Sequence, residues 1–255
     1  MPNGSGDASL LSGKVPHPKV CDLQEANAAL RRLLQAEATI TIRSIPLERI
    51  RLVVVSDASL GNASGGNSQL AHLIGAADQS ILCGEEADFS LLCYKSHCMG
   101  RAASSTLMVE ANALSEGLAE AEYVATWISL AREEHFDMCE REKSNNNNNN
   151  NRKLQISSIM SSDDDALKYR VAAVVDAKSL YDNLHREQMT GAEKRAALEI
   201  AVIRDSLQSL GGVCRWIPHE QNAADALTKL RGNAARLLTL LRDARLKLTN
   251  ESEEL

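Results

Sequence analysis

The amino-acid sequence predicts a mixed α/β fold built on one main domain, and three observations lead there. Residues 50–55 and 171–175 are near-continuous apolar runs, each closely followed by an aspartate, as expected of strands buried on both faces of a sheet. Residues 69–76 and 90–96 follow the first run after turn-rich stretches, which suggests a three-stranded antiparallel meander. Leu107, Ala111, Leu114, Leu118, Ala121, Val124, Ala125 and Ile128 then recur at helical spacing, so strands and helices must pack as layers. At 255 residues and 44% hydrophobic content the chain can bury one sizeable core plus appendages.

Each element has a local reason. Residues 1–14 mix Gly, Ser, Pro and Asn without an apolar period, so residues 1–20 are expected to be a disordered N-terminus. Over 22–36, Leu23, Ala26, Ala29, Leu30, Leu33 and Leu34 form the stripe of an amphipathic helix with Asp22 as its N-cap, inside a connecting segment 21–48. The strand 50–55 delivers Asp57 at its end, and Gly61, Gly65 and Gly66 among Asn and Ser supply the turn that follows. The helix 104–132 is capped by Ser104 or Ser105 and carries Glu110 in its first turns.

Asn145 to Asn151 are consecutive asparagines followed by a Ser- and Asp-rich run, which cannot bury enough apolar surface to offset ordering. Residues 141–168 are therefore expected to be a disordered surface insertion within a domain spanning 49–232. The strand 171–175 leads to Asp176, helices follow at 178–187 and 192–210, and Gly211-Gly212 stops the second. A last strand, 213–217, is broken by Pro218. Residues 222–248 are expected to be mostly helical, with Asp225 in a first turn and 233–255 forming a C-terminal helix and acidic tail.

Composition bounds the function. A net charge of −6 argues against a free-standing, tight nucleic-acid binder, although acids at 163–165 and 251–254 lie outside the expected core. The six cysteines are scattered without a CxxC pair, and no apolar run reaches membrane-spanning length, so a reducing compartment without membrane partners is expected. His97-Cys98 lacks the two further ligands that zinc requires.

The chemistry rests on Asp57, Glu110, Asp176 and Asp225. Singly, each has an ordinary reading as a strand-end, capping or solvated helix residue. Gathered at one point they need counter-charge, because two unit charges about 4 Å apart repel by roughly 4 kcal/mol near a protein surface. Hard oxygen ligands favour Mg²⁺, and paired ions of that kind hydrolyse phosphodiesters.

The residues around these acids fall in one order. Ser56-Asp57-Ala58, Tyr94-Lys95-Ser96, Ser104-Ser105-Thr106 with Glu110 and Ala113-Leu114-Ser115-Glu116, Val175-Asp176 with Lys178-Ser179-Leu180, and Trp216-Ile217-Pro218 with Ala224-Asp225-Ala226-Leu227-Thr228-Lys229 follow one another. In that order they resemble the ribonuclease H domain of copia-type retrotransposon reverse transcriptase polyproteins, over about residues 22–230. The last motif is the most specific.

The resemblance implies a ribonuclease H-like α/β fold, a mixed five-stranded sheet with flanking helices, cutting the RNA strand of RNA–DNA hybrids with two Mg²⁺ ions, for which Mn²⁺ substitutes. It implies that Asp57, Glu110, Asp176 and Asp225 are both catalytic residues and metal ligands, with Asp57 bridging the two ions. It further implies that Lys95 and Lys178 meet nucleic-acid phosphate, and that the chain is a polyprotein's tail, partnered by the polymerase part and located in a cytoplasmic retroelement particle or in the nucleus. His219 stands in a loop where simple exposure is the default; in cellular relatives a His before the last Asp assists product release. The alternative is a catalytically inactive relic, or a repurposed nucleic-acid-binding module.

One departure bears on the site. Leu107-Met108-Val109 makes the step from Thr106 to Glu110 one residue longer than in the family. An added residue turns a helix face by about 100°. Glu110 is thus expected to face the other acids if the helix begins after Thr106, and to point away if it begins earlier.

Overall fold

Apolar strands bury their flanks by pairing, and here six do so in one mixed sheet. The computed structural model describes residues 1–15, 17–132, 171–186 and 194–248. In chain order the elements are α1 (Ser5–Ser12), α2 (Val20–Gln35), β1 (Ile50–Ser59), β2 (Gln69–Asp78), β3 (Ala87–Cys98), α3 (Thr106–Arg132), β4 (Val171–Val175), α4 (Lys178–His185), α5 (Lys194–Ser209), β5 (Val213–Trp216), α6 (Ala235–Asp243) and β6 (Arg245–Leu246). The sheet order is β5-β4-β1-β2-β3-β6. The meander β1-β2-β3 is antiparallel, while β4 and β5 run parallel to β1. This is the expected mixed sheet with flanking helices, except that β6 adds a sixth strand on the outer edge of β3.

Alternation along β1 sorts its residues to the two faces. Leu52 and Val54 join Ile74, Val171 and Ala173 against Leu114, Leu118 and Ala121 of α3 and Ile200 and Ile203 of α5. Val53 and Val55 join Leu73, Phe89 and Val174 on the other face, covered by Leu237, Leu240 and Leu241 of α6 and by Leu227. The helix α3 lies close on the sheet because residue 117 is glycine: a Cβ there would stand 2.8 Å from Val54 Cγ1.

The N-terminus departs from expectation, since residues 5–12 form a docked helix. Gly6 lets α1 approach the carbonyl of Leu227, where a Cβ would come within 2.7 Å. Asp7 accepts from the Arg231 backbone N–H at 2.9 Å and from Arg32 Nη2 at 2.9 Å, and Leu10 is buried. These partners lie far along the chain, so local composition carries no sign of them.

Two other expectations are corrected nearby. The N-cap of α2 is Lys19, and Asp22, three residues on, accepts from the Lys19 N–H at 2.9 Å and from Lys14 Nζ at 2.7 Å. Of the α2 stripe only Ala29 is buried, with Leu23, Leu30 and Leu34 exposed.

Residues 222–248 are mostly not α-helical. Short 3-10 turns at His219–Gln221 and Asp225–Leu227 precede α6, and β6 follows it. Side chains shape this: Asn222 Oδ1 accepts from the Ala224 N–H at 2.9 Å, fixing a turn before Asp225, and Asn233 Oδ1 accepts from the Ala235 N–H at 3.0 Å, where α6 begins. The asparagine-rich insertion 141–168 and the acidic tail beyond 248 lie outside the described residues. Among the described residues no helix is long and apolar enough to cross a membrane.

Candidate active site

The parallel pairing of β1 with β4 places the first two acids. Val55 pairs with Val174, so Asp57 and Asp176 each stand two residues further on, at the carboxyl-end side of adjacent strands. Asp57 lies within β1 rather than beyond it, because the ladder to β2 continues through Ser56 and Asp57 to Ser59. Asp57 is 3% exposed.

Glu110 comes from the first turns of α3. The helix begins at Thr106 itself, yet Glu110 faces the other acids. It shares the sheet-facing stripe with the buried Leu114 and Leu118. Asp225 arrives on a 3-10 turn, and His219 on the turn before it reaches both remaining acids. Its Nδ1 donates to Asp176 Oδ2 at 2.7 Å, and its Nε2 lies 3.3 Å from Asp225 Oδ1.

Supporting residues hold these groups. The Thr228 hydroxyl donates to Asp57 Oδ2, while Asn222 Nδ2 donates to the Ser56 carbonyl at 3.0 Å and reaches within 3.5 Å of Asp57 Oδ1. Trp216 Nε1 donates to the Asp176 carbonyl at 2.9 Å, fixing the backbone that carries that acid. Lys229 Nζ pairs with Asp225 Oδ1. Sequence reading assigned no role to Asn222, Thr228 or Lys229, although all three lie within a few residues of Asp225, in the segment whose motif was the most specific.

The electrostatics record crowded like charge. Burial, then Asp176 and Asp225, push the Asp57 carboxyl up to about 7 against the Thr228 hydrogen bond. Burial, then Asp57 and Asp176, push Glu110 up to about 9. The hydrogen bond to Asp176 raises His219 above the usual imidazole range. Lys229 is raised as well: burial opposes its charge, but Asp225, Asp57 and Asp176 outweigh burial. Asp57 thus feels the charges of Asp176 and Asp225, and Glu110 those of Asp57 and Asp176.

The two candidate phosphate contacts are placed differently. Lys178, two residues past Asp176, lies over the rings of Tyr181 and Trp216, 4.7 and 5.0 Å from their centroids. Lys95 is held on the β3–α3 side by Glu116, 3.5 Å away, and makes no ion pair with the four acids among the described residues.

Metal capacity follows from the donor set. One oxygen from Asp57, one from Asp176 and a ring nitrogen of His219 lie within 4.8 Å of one another. Two carboxyls whose pKa values are raised by burial and then by neighbouring acids, beside hard oxygen donors, fit a divalent cation.

No protein-family model and no curated protein matches the chain. Among solved structures, the N-terminal RNase H domain of a Mycobacterium tuberculosis protein is similar at 14% identity and a TM-score of 0.42, covering 70% of this chain and 91% of its own. RNase H1 from the archaeon Halobacterium salinarum is similar at 14% identity and a TM-score of 0.40, covering 70% of this chain and 93% of its own. A foamy viral protease-reverse transcriptase in complex with an RNA/DNA hybrid is similar at 12% identity and a TM-score of 0.41, covering 74% of this chain and 21% of its own.

Proposed function

We propose that this chain is a metal-dependent endonuclease that hydrolyses the RNA strand of RNA–DNA hybrids. The observation that carries the reading is the convergence of Asp57, Glu110, Asp176 and Asp225, from four separate segments, on one partly buried point. The order of the surrounding motifs supports an origin as the C-terminal part of a copia-type retrotransposon polyprotein, working beside its polymerase in a cytoplasmic particle.

In this reading Asp57, Asp176, Glu110 and Asp225 hold Mg²⁺, with Mn²⁺ as substitute and His219 at the edge of the ligand set. A bound divalent ion supplies the Lewis acid that lowers the pKa of an attacking water and neutralises the departing oxygen. The protein's own groups do the rest. Thr228 and Asn222 orient Asp57, Trp216 anchors the backbone of Asp176, and Lys178 offers a cation to a backbone phosphate near the carboxyl end of β4. In this reading His219, 56% exposed and bonded to Asp176, competes for that acid when product leaves.

The test is strand and substrate selectivity. Purified protein with Mg²⁺ or Mn²⁺ should cut the labelled RNA strand of a hybrid and leave its DNA strand, single-stranded RNA and duplex DNA intact. Hybrid binding without cleavage would instead support the inactive binding module.

A further inference from the structure

We infer that Lys229 is a built-in cation of this site, standing in for one of the two divalent ions, so that the chain binds a single ion bounded by Asp57, Asp176 and His219. The inference rests on the metal-site reading above, and departs from the two-ion expectation carried by the motif resemblance and from the place of Asp225 among the ligands.

The geometry is specific to one side chain. Lys229 follows Asp225 by four residues, across the turn Asp225–Leu227, and its ammonium pairs with Asp225 Oδ1. The same Nζ lies 3.3 Å from His219 Nε2, while His219 Nδ1 lies 2.7 Å from Asp176 Oδ2. One cation is thus linked to Asp225 directly and to Asp176 through an imidazole. Its charge also acts on Asp57 and Glu110. No other lysine or arginine among the described residues makes an ion pair with any of the four acids.

The surroundings of Asp225 point the same way, because Lys229 Nζ and His219 Nε2 both lie against its Oδ1. The donors also divide: Asp57, Asp176 and His219 form a group able to hold an ion, and Asp225, whose Oδ1 Lys229 holds, is not in it. Asp225 then serves as the anchor of the lysine and shapes the field at the ion.

Two carboxylates and an imidazole within 4.8 Å suit a borderline ion as well as a hard one, so Mn²⁺ is a suitable probe. The experiment is the stoichiometry of Mn²⁺ bound to the full chain, by equilibrium dialysis and by electron paramagnetic resonance, for wild type, Lys229→Met and Lys229→Arg. Lys229 is 42% exposed, and circular dichroism checks that each variant is folded. Wild type should bind one Mn²⁺, Lys229→Arg one, and Lys229→Met two, with a spin-coupled pair signal in the last alone. Two ions in wild type would overturn the role of Lys229 while leaving the metal site standing. One ion in folded Lys229→Met would overturn it equally. No ion bound by folded wild type at millimolar Mn²⁺ would remove the metal reading itself, and this inference with it.

Discussion

The hydroxyl of Thr228 donates to Oδ2 of Asp57, across a separation of 171 residues, and both side chains are buried. That bond ties the segment after β5 to the middle of the sheet and opposes the upward pull of burial on the Asp57 carboxyl. Thr228→Val keeps the shape and removes the donor. Groups that orient a metal ligand typically contribute about 10–100-fold in metal affinity. The variant should bind Mn²⁺ about tenfold more weakly at pH 7 and lose roughly 1–2 kcal/mol of stability. Calorimetric titration and urea denaturation measure the two effects separately.

The metal-free protein should lose stability as pH rises. Asp57 and Glu110 carry folded-state pKa values of about 7 and about 9, above the ordinary carboxylate range. Such groups hold their protons more tightly folded than unfolded. Their contribution is fully present below about pH 4 and is lost as pH climbs through 7 and then 9. The melting temperature of the metal-free chain should therefore fall from pH 5 to pH 9, and Glu110→Gln should flatten the upper part of the fall. At pH 9 that variant should exceed wild type by roughly 1–3 kcal/mol. A wild-type melting temperature that is flat over this range would contradict the buried acid pair.

The docked N-terminal helix should contribute measurably. Asp7→Ala removes the acceptor for the Arg231 N–H and for Arg32. A loss of about 1–3 kcal/mol is expected for a partly buried charged acceptor with two donors. An unchanged urea midpoint would mean that α1 is not held to the sheet by this carboxylate.

Gly75 marks a contact that admits no side chain. A Cβ there would meet the Phe89 ring at 2.2 Å, beside the register shift between Ile74 and Gly75. Gly75→Ala should cost about 1–3 kcal/mol by overpacking. Adding Phe89→Leu should recover part of that cost, which a double-mutant cycle reads directly.

How much of this was legible before the structure depends on the range of the interaction. The strand at Val171–Val175 matches its apolar run because that run is buried on both faces. β1 outlasts its apolar run because Ser56 to Ser59 still pair with β2, and backbone pairing leaves no mark on side-chain polarity. The four acids were recognisable from their local motifs, and the direction of Glu110 became clear only with the phase of α3 on the sheet. Thr228, Asn222 and Lys229 stood in a motif already singled out, but their partners are distant in sequence or set by a turn that the helical expectation for 222–248 concealed. Lys95 matched a motif and is engaged by Glu116.

The account turns on the acids acting as one metal-dependent unit. The most direct measurement is the Mn²⁺-dependent rate of RNA-strand cleavage in a labelled hybrid for wild type and for Asp57→Asn, Glu110→Gln, Asp176→Asn and Asp225→Asn, each verified as folded. The account predicts cleavage by wild type that vanishes with chelator, at least about a hundredfold loss in Asp57→Asn and Asp176→Asn, and smaller losses in the other two. Cleavage that persists at the wild-type rate in Asp57→Asn, or folded wild-type protein that cuts no hybrid at any metal concentration, would contradict it.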